Sequence, residues 1–401
     1  MAQNQPRSYD VVLGGHTPTP INAAVLGGVA GVKRRLTSQH VAQRVTALSE
    51  ALKYGQAGID LIFQSLKDES WQVSKTAYLL IQDCEELTLK RALQEYNPYQ
   101  LFECLHKHSM AGATTYSVAI SADGQYLVSG GSDKKIVVRS LHTGRVIRTL
   151  SGHTDGVKSV AISESGQTIF SCSWDNTIKV WNLQSSKALG DGLLHTFAAS
   201  EAGVNCICIA PEAKTLIAGN EDGTIGLYNL EKQANFRSLT AHKHGIKSIA
   251  ITPDGKMLAT GSADETIKIW DMATGELLHT LEGHSEWVKC LAIIPDGKTL
   301  FSGAQDKTIK LWNLQTGELL NTLEGHWDEV TSIAISRDGN TLVSGGGNLD
   351  QTIRIWHFKT GTQLHVLEGH FNGISSVAMT PDGEKIVSSS WDKTIRVWGA
   401  R

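Results

Sequence analysis

A mainly β chain, built as seven consecutive antiparallel meanders behind a small all-α region, is what this 401-residue sequence predicts. The first observation is a repeat. The segment SADETIKIWDMATGELLHTLEGHSEWVKCLAIIPDGKTLFSG, from Ser262 to Gly303, returns nearly unchanged after Ala304 as QDKTIKLWNLQTGELLNTLEGHWDEVTSIAISRDGNTLVSG, so Trp270 and Trp312 lie 42 residues apart. Equivalent positions fall at Arg139, Trp181, Tyr228, Trp270, Trp312, Trp356 and Trp398, which makes seven units. The second observation is the pattern inside each unit. Runs such as KSVAIS, TIFSCS and TIKVWNL alternate apolar and polar residues, with DG, TG and GH punctuation between them, as short strands joined by tight turns require. The third is a change of period before Asn97, where apolar residues recur three or four apart.

The chain divides accordingly. Residues 1–24 are read as an extended or loop arm, because VVLGGHTPTPINAAVLGG is rich in Gly and Pro. Residues 25–96 carry the helical stretches VKRRL, VAQRVTALSEALKY, AGIDLIFQSL, WQVSKTAYLLIQ and EELTLKRALQEY. Within them AGIDLIFQSLKDESWQVSKTAYLLIQD resembles a HEAT-type repeat, in which two antiparallel helices bury their facing sides. Residues 99–401 hold the meanders.

Seven such units with GH turns and a third-strand Trp resemble the WD-repeat (WD40) family over about three quarters of the chain, from Gln100 to Trp398. The resemblance implies a seven-bladed β-propeller, one four-stranded meander per blade, around a central channel. A helical leader before the propeller is similar to the arrangement in bacterial multidomain WD-repeat proteins. The family further implies a buried hydrogen-bonded set in each blade, formed by the His of the GH turn, a second-strand Ser or Thr, a turn Asp and the Trp. Complete sets are His153, Ser171, Asp175, Trp181; His242, Thr260, Asp264, Trp270; His284, Ser302, Asp306, Trp312; His326, Ser344, Asp350, Trp356; and His370, Ser388, Asp392, Trp398. A blade covered on both faces cannot leave such groups unpaired, so a satisfied set fixes its turns.

Two repeats depart from the pattern. In the first, Arg139 replaces the aromatic residue, Ser129 and Asp133 remain, and the GH turn is blurred around His108. In the third, Ser200, Ala218 and Tyr228 take the His, Ser and Trp positions while Asp222 persists, and Trp181 to Tyr228 spans 47 residues. The third blade is therefore expected to be the least stable, with the lengthened segment before it a candidate for mobility. Because the sequence ends just after Trp398, the last blade lacks an outer strand of its own. YQLFECLHKH matches ELLHTLEGH with Leu105 at the place of Leu281, so residues 100–105 are expected to supply that strand and close the ring.

Composition excludes several function classes. A formal charge of -3 argues against nucleic acid or an anionic membrane surface, each of which needs a concentrated basic stripe. The start MAQNQPRSYDVVLGGH has no apolar core of the signal-peptide kind and no stretch reaches membrane-spanning length, so a cytoplasmic protein is expected. Six cysteines, Cys84, Cys104, Cys172, Cys206, Cys208 and Cys290, contain no CxxC pair, which reads as buried thiols with neither disulfides nor a zinc site. The HxH pairs His106/His108 and His242/His244 lack further ligands at fixed spacing. LGGVAGVKRR lacks the ending of a phosphate loop, and no HExxH or GxSxG motif occurs. No metal, no cofactor and no catalytic residue is expected.

What remains is a set of aromatic residues outside the strand positions. In WD-repeat proteins the residue before the turn Asp and those following the GH turn lie on the top face, where partners dock. Trp174 and Trp391 precede Asp175 and Asp392, Trp327 and Phe371 follow His326 and His370, and Trp287 lies three after His284. Lys158, Lys247 and Lys289 share one repeat position and form a partial basic collar at the channel mouth. The competing reading is that the rings pack on neighbouring turns and the lysines are merely solvated. The expectation is a non-enzymatic scaffold presenting this face to proteins or peptides. The alternative is an enzymatic propeller holding a ligand or metal in its channel, which needs non-repeating carboxylates or histidines there.

Overall fold

The structure is a computed structural model that describes residues 28–82, 97–110, 112–183, 192–212 and 214–400. The expected arm, the helix EELTLKRALQEY and residues 184–191 of the lengthened segment lie outside the described residues. Two compact units are present, divided between Tyr96 and Asn97. The first is helical, with α1 (Gly28–Leu36), α2 (Val41–Ala51), α3 (Gly55–Gln64) and α4 (Trp71–Gln82). Its core comes from the residues three and four apart that marked it as helical, including Ala47, Leu48, Leu61, Ile62, Val73, Ala77 and Ile81. α3 crosses α2 so closely that a Cβ on Gly58 would lie 1.8 Å from the Ala51 carbonyl oxygen. Arg44, buried on α2, pairs with Asp68 at 2.9 Å and donates to the Ser38 carbonyl, which anchors two of the connections.

The second unit is a seven-bladed propeller of four-stranded antiparallel sheets. Its innermost strands are Thr115–Ile120, Val157–Ile162, Val204–Ile209, Ile246–Ile251, Val288–Ile293, Val330–Ile335 and Ile374–Met379. Each has a register shift just after its first residue, for example between Val157 and Ser159. The shift frees groups that join one blade to the next. Amides of Val118, Val160, Leu291 and Val377 donate to the hydroxyls of Ser376, Ser117, Ser248 and Ser332 on the preceding blade, at 3.0–3.2 Å. Glycine in the second strand permits the close approach this needs. A Cβ at Gly303 would sit 2.6 Å from Val330 Cγ1, and one at Gly345 2.5 Å from Ile374 Cγ2.

The ring closes through the last sheet, whose outer strand is Phe102–Ser109 paired antiparallel with Thr394–Ala400. This corrects the sequence reading in two ways. The strand does not begin at Gln100, because Pro98–Leu101 is a 3-10 turn, capped by the Asn97 side chain and pinned by Tyr99, whose hydroxyl lies 2.7 Å from Thr341 Oγ1. Nor does Leu105 occupy the place of Leu281. Ile395 pairs with His108 as Ile267 pairs with Leu281, so the match is three residues out and Leu105 sits in the bulge beside Cys104. Only Phe102 of this strand is buried, so its side chains offered little apolar alternation to set the register. Val118, Leu127 and Leu141 of the first blade pack with Val387, Ile395 and Val397 of the last to complete the seam.

In five blades the four side chains come together as a relay. The Trp indole N–H donates to the Ser or Thr hydroxyl at 2.8–3.0 Å, and the same oxygen lies 2.6–2.8 Å from His Nε2. His Nδ1 lies 2.7–3.0 Å from the Asp carboxylate. A carboxylate only accepts, so Nδ1 carries the proton, and Nε2 accepts from the hydroxyl. Burial lowers the pKa of His153, His242, His326 and His370 despite the attraction of their aspartates. Burial alone would raise the Asp306 carboxyl, but hydrogen bonds from His284 and Thr308 outweigh it and hold it at about 2.

The two departing blades differ in kind. In the third, Ser200 donates to Asp222 at 2.6 Å, Ala218 offers no hydroxyl, and Tyr228 packs against Phe197 with ring centroids 5.2 Å apart. All three positions changed together, so no relay hydroxyl or indole is left there without its partner. In the first, His108 takes the strand place of Leu281 rather than the turn place of His284, which corrects the blurred turn. Arg139 instead reaches the Gly144 carbonyl and Met110 sulfur.

Two outcomes follow. Ser302→Ala strands the Trp312 indole and the His284 ring, both buried, and should destabilise the protein by about 1–3 kcal/mol in urea titration; a change within error contradicts the relay. Folded, His153, His242, His326 and His370 protonate less readily than unfolded, so their stabilisation is full above the ordinary value of 6.5. It drains as pH falls toward the folded values, and the aspartates add a second loss below 3.8. Calorimetric Tm should therefore drop between pH 7 and 5, and further toward pH 3; a Tm that rises over the first interval refutes this.

Candidate functional site at the channel mouth

The second residue of every innermost strand points into the channel, because its predecessor turns the other way into the blade core, where Val157, Val204, Ile246, Val288, Val330 and Ile374 are fully buried. Those seven residues are Tyr116, Lys158, Asn205, Lys247, Lys289, Thr331 and Ser375. Together with Trp287, Glu329, Ile374 and Trp391 they line a cavity of about 280 Å³ at the end of the ring where the brace aspartates sit.

The seven behave in two ways. Asn205, Thr331 and Ser375 turn sideways and donate to the carbonyls of Ile246, Ile374 and Thr115, each the first inner-strand residue of the following blade, at 2.6–2.9 Å. The lysines extend along the mouth instead. Lys247 pairs with Glu221 at 2.7 Å and Lys289 with Glu329 at 3.1 Å, and both ammonium groups lie over the Trp287 ring, 5.5 and 5.7 Å from its centroid. Lys158 lies 4.9 Å from the Trp174 centroid and 5.9 Å from that of Tyr116, and those rings touch at 5.3 Å. Burial lowers the Lys158 pKa, helped by the charge of Lys247. Burial would raise Glu221, but hydrogen bonds from Asn205 and Lys247 and the lysine charges hold it below the ordinary range.

The sequence-predicted aromatics separate into two groups. Trp287 and Trp391 line the mouth, and Trp174 stands beside it through Lys158; they are 43%, 40% and 45% exposed. These rings therefore both pack on neighbours and face solvent. Trp327 and Phe371 do not line the mouth. Their backbone amides cap Asp350 and Asp392, and their rings are 77% and 76% exposed on the rim. Lys107 of the closing strand lies 5.7 Å from the Phe371 centroid.

Sequence reasoning missed Tyr116, Asn205, Thr331 and Ser375, although they occupy the same repeat position as the three lysines, which was the signal available. It missed Glu221, which precedes Asp222 as Trp174 precedes Asp175, and Glu329, three after His326 as Trp287 is after His284, because only aromatic residues were sought at those positions. It also missed Leu349, the most exposed large apolar side chain described, at the tip of the lengthened turn GGGNLD and held there by an amide hydrogen bond to Asp328.

Among the described residues no group of three or more His, Cys, Asp or Glu is arranged to hold a metal. His106 and His108 stack on the closing strand with centroids 6.1 Å apart, and the His242 ring is committed to its brace. Among the residues lining the mouth there is no histidine or cysteine, and the Glu329 carboxylate is held by a lysine. Exposed aromatic faces and one ammonium that, among the described residues, has no carboxylate partner suit this surface to binding. Among the described residues no helix is long and apolar enough to cross a membrane.

Comparison with known proteins agrees with this geometry. The family described as WDR3 second beta-propeller domain matches residues 104–364, and that described as WD domain, G-beta repeat matches residues 361–399. Pre-mRNA-processing factor 19 of Mus musculus is 32% identical over 105 residues, 26% of this chain and 21% of that protein, and the Homo sapiens form is 31% identical over the same length. Protein groucho of Drosophila melanogaster is 35% identical over 79 residues, 20% of this chain and 11% of that protein. The matched stretch thus spans about a fifth or less of these curated relatives. The family match covers well over half of the chain, and its seven four-stranded blades carry the expected relay in five: the protein belongs to the WD-repeat β-propeller family.

Proposed function

We propose that the protein is a non-enzymatic interaction scaffold whose top face, the end that carries the channel mouth, receives protein or peptide partners. The observation that carries this reading is the placing of Trp174, Trp287, Trp327, Phe371 and Trp391, each at least 40% exposed, on turns at that one end. Large rings on a preformed surface lose little conformational freedom on binding, which is what interface anchors need. Family membership supports the same reading, since WD-repeat propellers generally bind other proteins. Lys158, Lys247 and Lys289 belong to the proposed surface through the rings they touch. The helical unit, read as a HEAT-type helix pair, serves a second contact. The enzymatic alternative draws no support from the mouth, where Glu221 and Glu329 are tied up in ion pairs.

Replacing Trp327, Phe371 and Trp391 together by Ala should reduce recovery of bound proteins from lysate of the source cells by about tenfold or more, since each anchor of this kind is worth about 2 kcal/mol. The melting transition should remain cooperative. Undiminished recovery by the triple variant overturns the reading.

A further inference from the structure

Resting on that reading of the top face, we infer that the channel mouth takes one carboxylate side chain of an acidic peptide segment, seated on Lys158 between Tyr116 and Trp174.

The argument begins with what each polar group around the mouth already does. Asn205, Thr331 and Ser375 spend hydrogen bonds on the carbonyls of the next blade. Lys247 and Lys289 each hold a carboxylate. Lys158 is the exception: among the described residues no carboxylate lies within ion-pair distance of it, and its neighbours are the two aromatic faces. Glu221 and Glu329 pair with two of the three lysines, which leaves Lys158 as the mouth lysine without a paired carboxylate among the described residues. Burial and the neighbouring lysines both work against the Lys158 charge, a cost that an incoming anion would relieve.

The aromatic flanks make this an organised position. Rings hold an ammonium through their electron-rich faces while leaving its remaining N–H groups to donate. A long, flexible lysine thus enters the complex already placed, and little is lost in ordering it. A cavity of about 280 Å³ has room for a side chain but not for a folded element. The charge count also selects among anions. A monovalent carboxylate matches the one lysine left without a paired carboxylate. A phosphate dianion would need a second free cation, and Lys247 and Lys289 are engaged by Glu221 and Glu329. No arginine, whose planar fork favours phosphate, lines the mouth.

The test is a selection on the full chain from a synthetic random heptapeptide array containing Asp, Glu, Asn, Gln and phosphoserine, followed by fluorescence anisotropy of the enriched peptides. Asp or Glu should dominate one position, and its replacement by Asn or Gln should weaken binding about tenfold. Lys158→Met should remove that preference and Lys158→Arg should retain much of it. Glu329→Gln, which frees Lys289, should tighten acidic peptides and admit phosphoserine, so the inference does not depend on how well the Lys158 variants fold. Peptides bound equally by the wild type and by Lys158→Met, or enriched without acidic preference, overturn the inference while leaving the scaffold reading intact. Enrichment of phosphoserine over Glu overturns the choice of anion. Enrichment of no peptide overturns the inference; combined with undiminished recovery by the aromatic triple variant, it overturns the scaffold reading as well.

Discussion

Pairing between Phe102–Ser109 and Thr394–Ala400 is the contact on which the rest of the propeller depends. Six sheets are built from strands that follow one another along the chain, and each could form as its segment folds. The seventh cannot, because its outer strand ends at Ser109 and its other three begin only at Ile374. Bringing the ends together costs chain entropy before any contact repays it. Once they meet, the Val118–Val387 seam is buried and every blade gains a neighbour on both sides. The inter-blade hydrogen bonds then extend across the seam itself, through the one from the Val118 amide to Ser376.

Inside that circle the relay is kept whole in five blades and lost as a set in the third, while in the first Ser129 turns to the Val137 carbonyl instead. Five relays keep all four side chains, and their indoles, hydroxyls and imidazoles satisfy one another out of water. In the third blade the hydroxyl, the imidazole and the indole are all absent, and packing of Tyr228 on Phe197 fills the space. Loss of one member alone would be costlier than loss of the set, because a buried donor without an acceptor pays its full desolvation. The same economy shapes the mouth, where three small polar residues staple adjacent blades and leave the lysines to define its electrostatics.

Much of this was legible in the sequence, and for a physical reason. A repeated unit states its pattern seven times, so blade count, strand alternation and the relay residues could be read by superposing Ser262–Gly303 on its successor. The closing strand was legible in existence but not in register, since FECLHKHS buries only Phe102 and carries no strict alternation; the real start is set by Pro98 and Tyr99, whose roles are tertiary. The aromatic residues of the top face were visible by position. Their division into mouth and rim follows repeat position: Trp327 and Phe371, directly after the GH histidine, face outward, whereas Trp287, three residues after it, and Trp391, before the turn Asp, line the mouth. The channel ring was half seen. Lysines attract notice, whereas Asn205, Thr331 and Ser375 at the same position look ordinary until their bonds to the next blade are traced.

A rigid ring matters to the proposed role because a surface made of turns from several blades keeps its shape only if the blades keep theirs. Closure is therefore the property to measure. Two adjacent prolines at His106 and Lys107 must remove one amide that faces Thr394–Ala400, since successive amides of a strand point to opposite sides. Hydrogen exchange of this variant should be compared with that of a control bearing prolines at His279 and Thr280, in an outer strand that closes nothing. The account predicts that the first variant loses protection in the inner strands of blades all round the ring, while the control loses it only in its own sheet. Equal, local losses in both would contradict it.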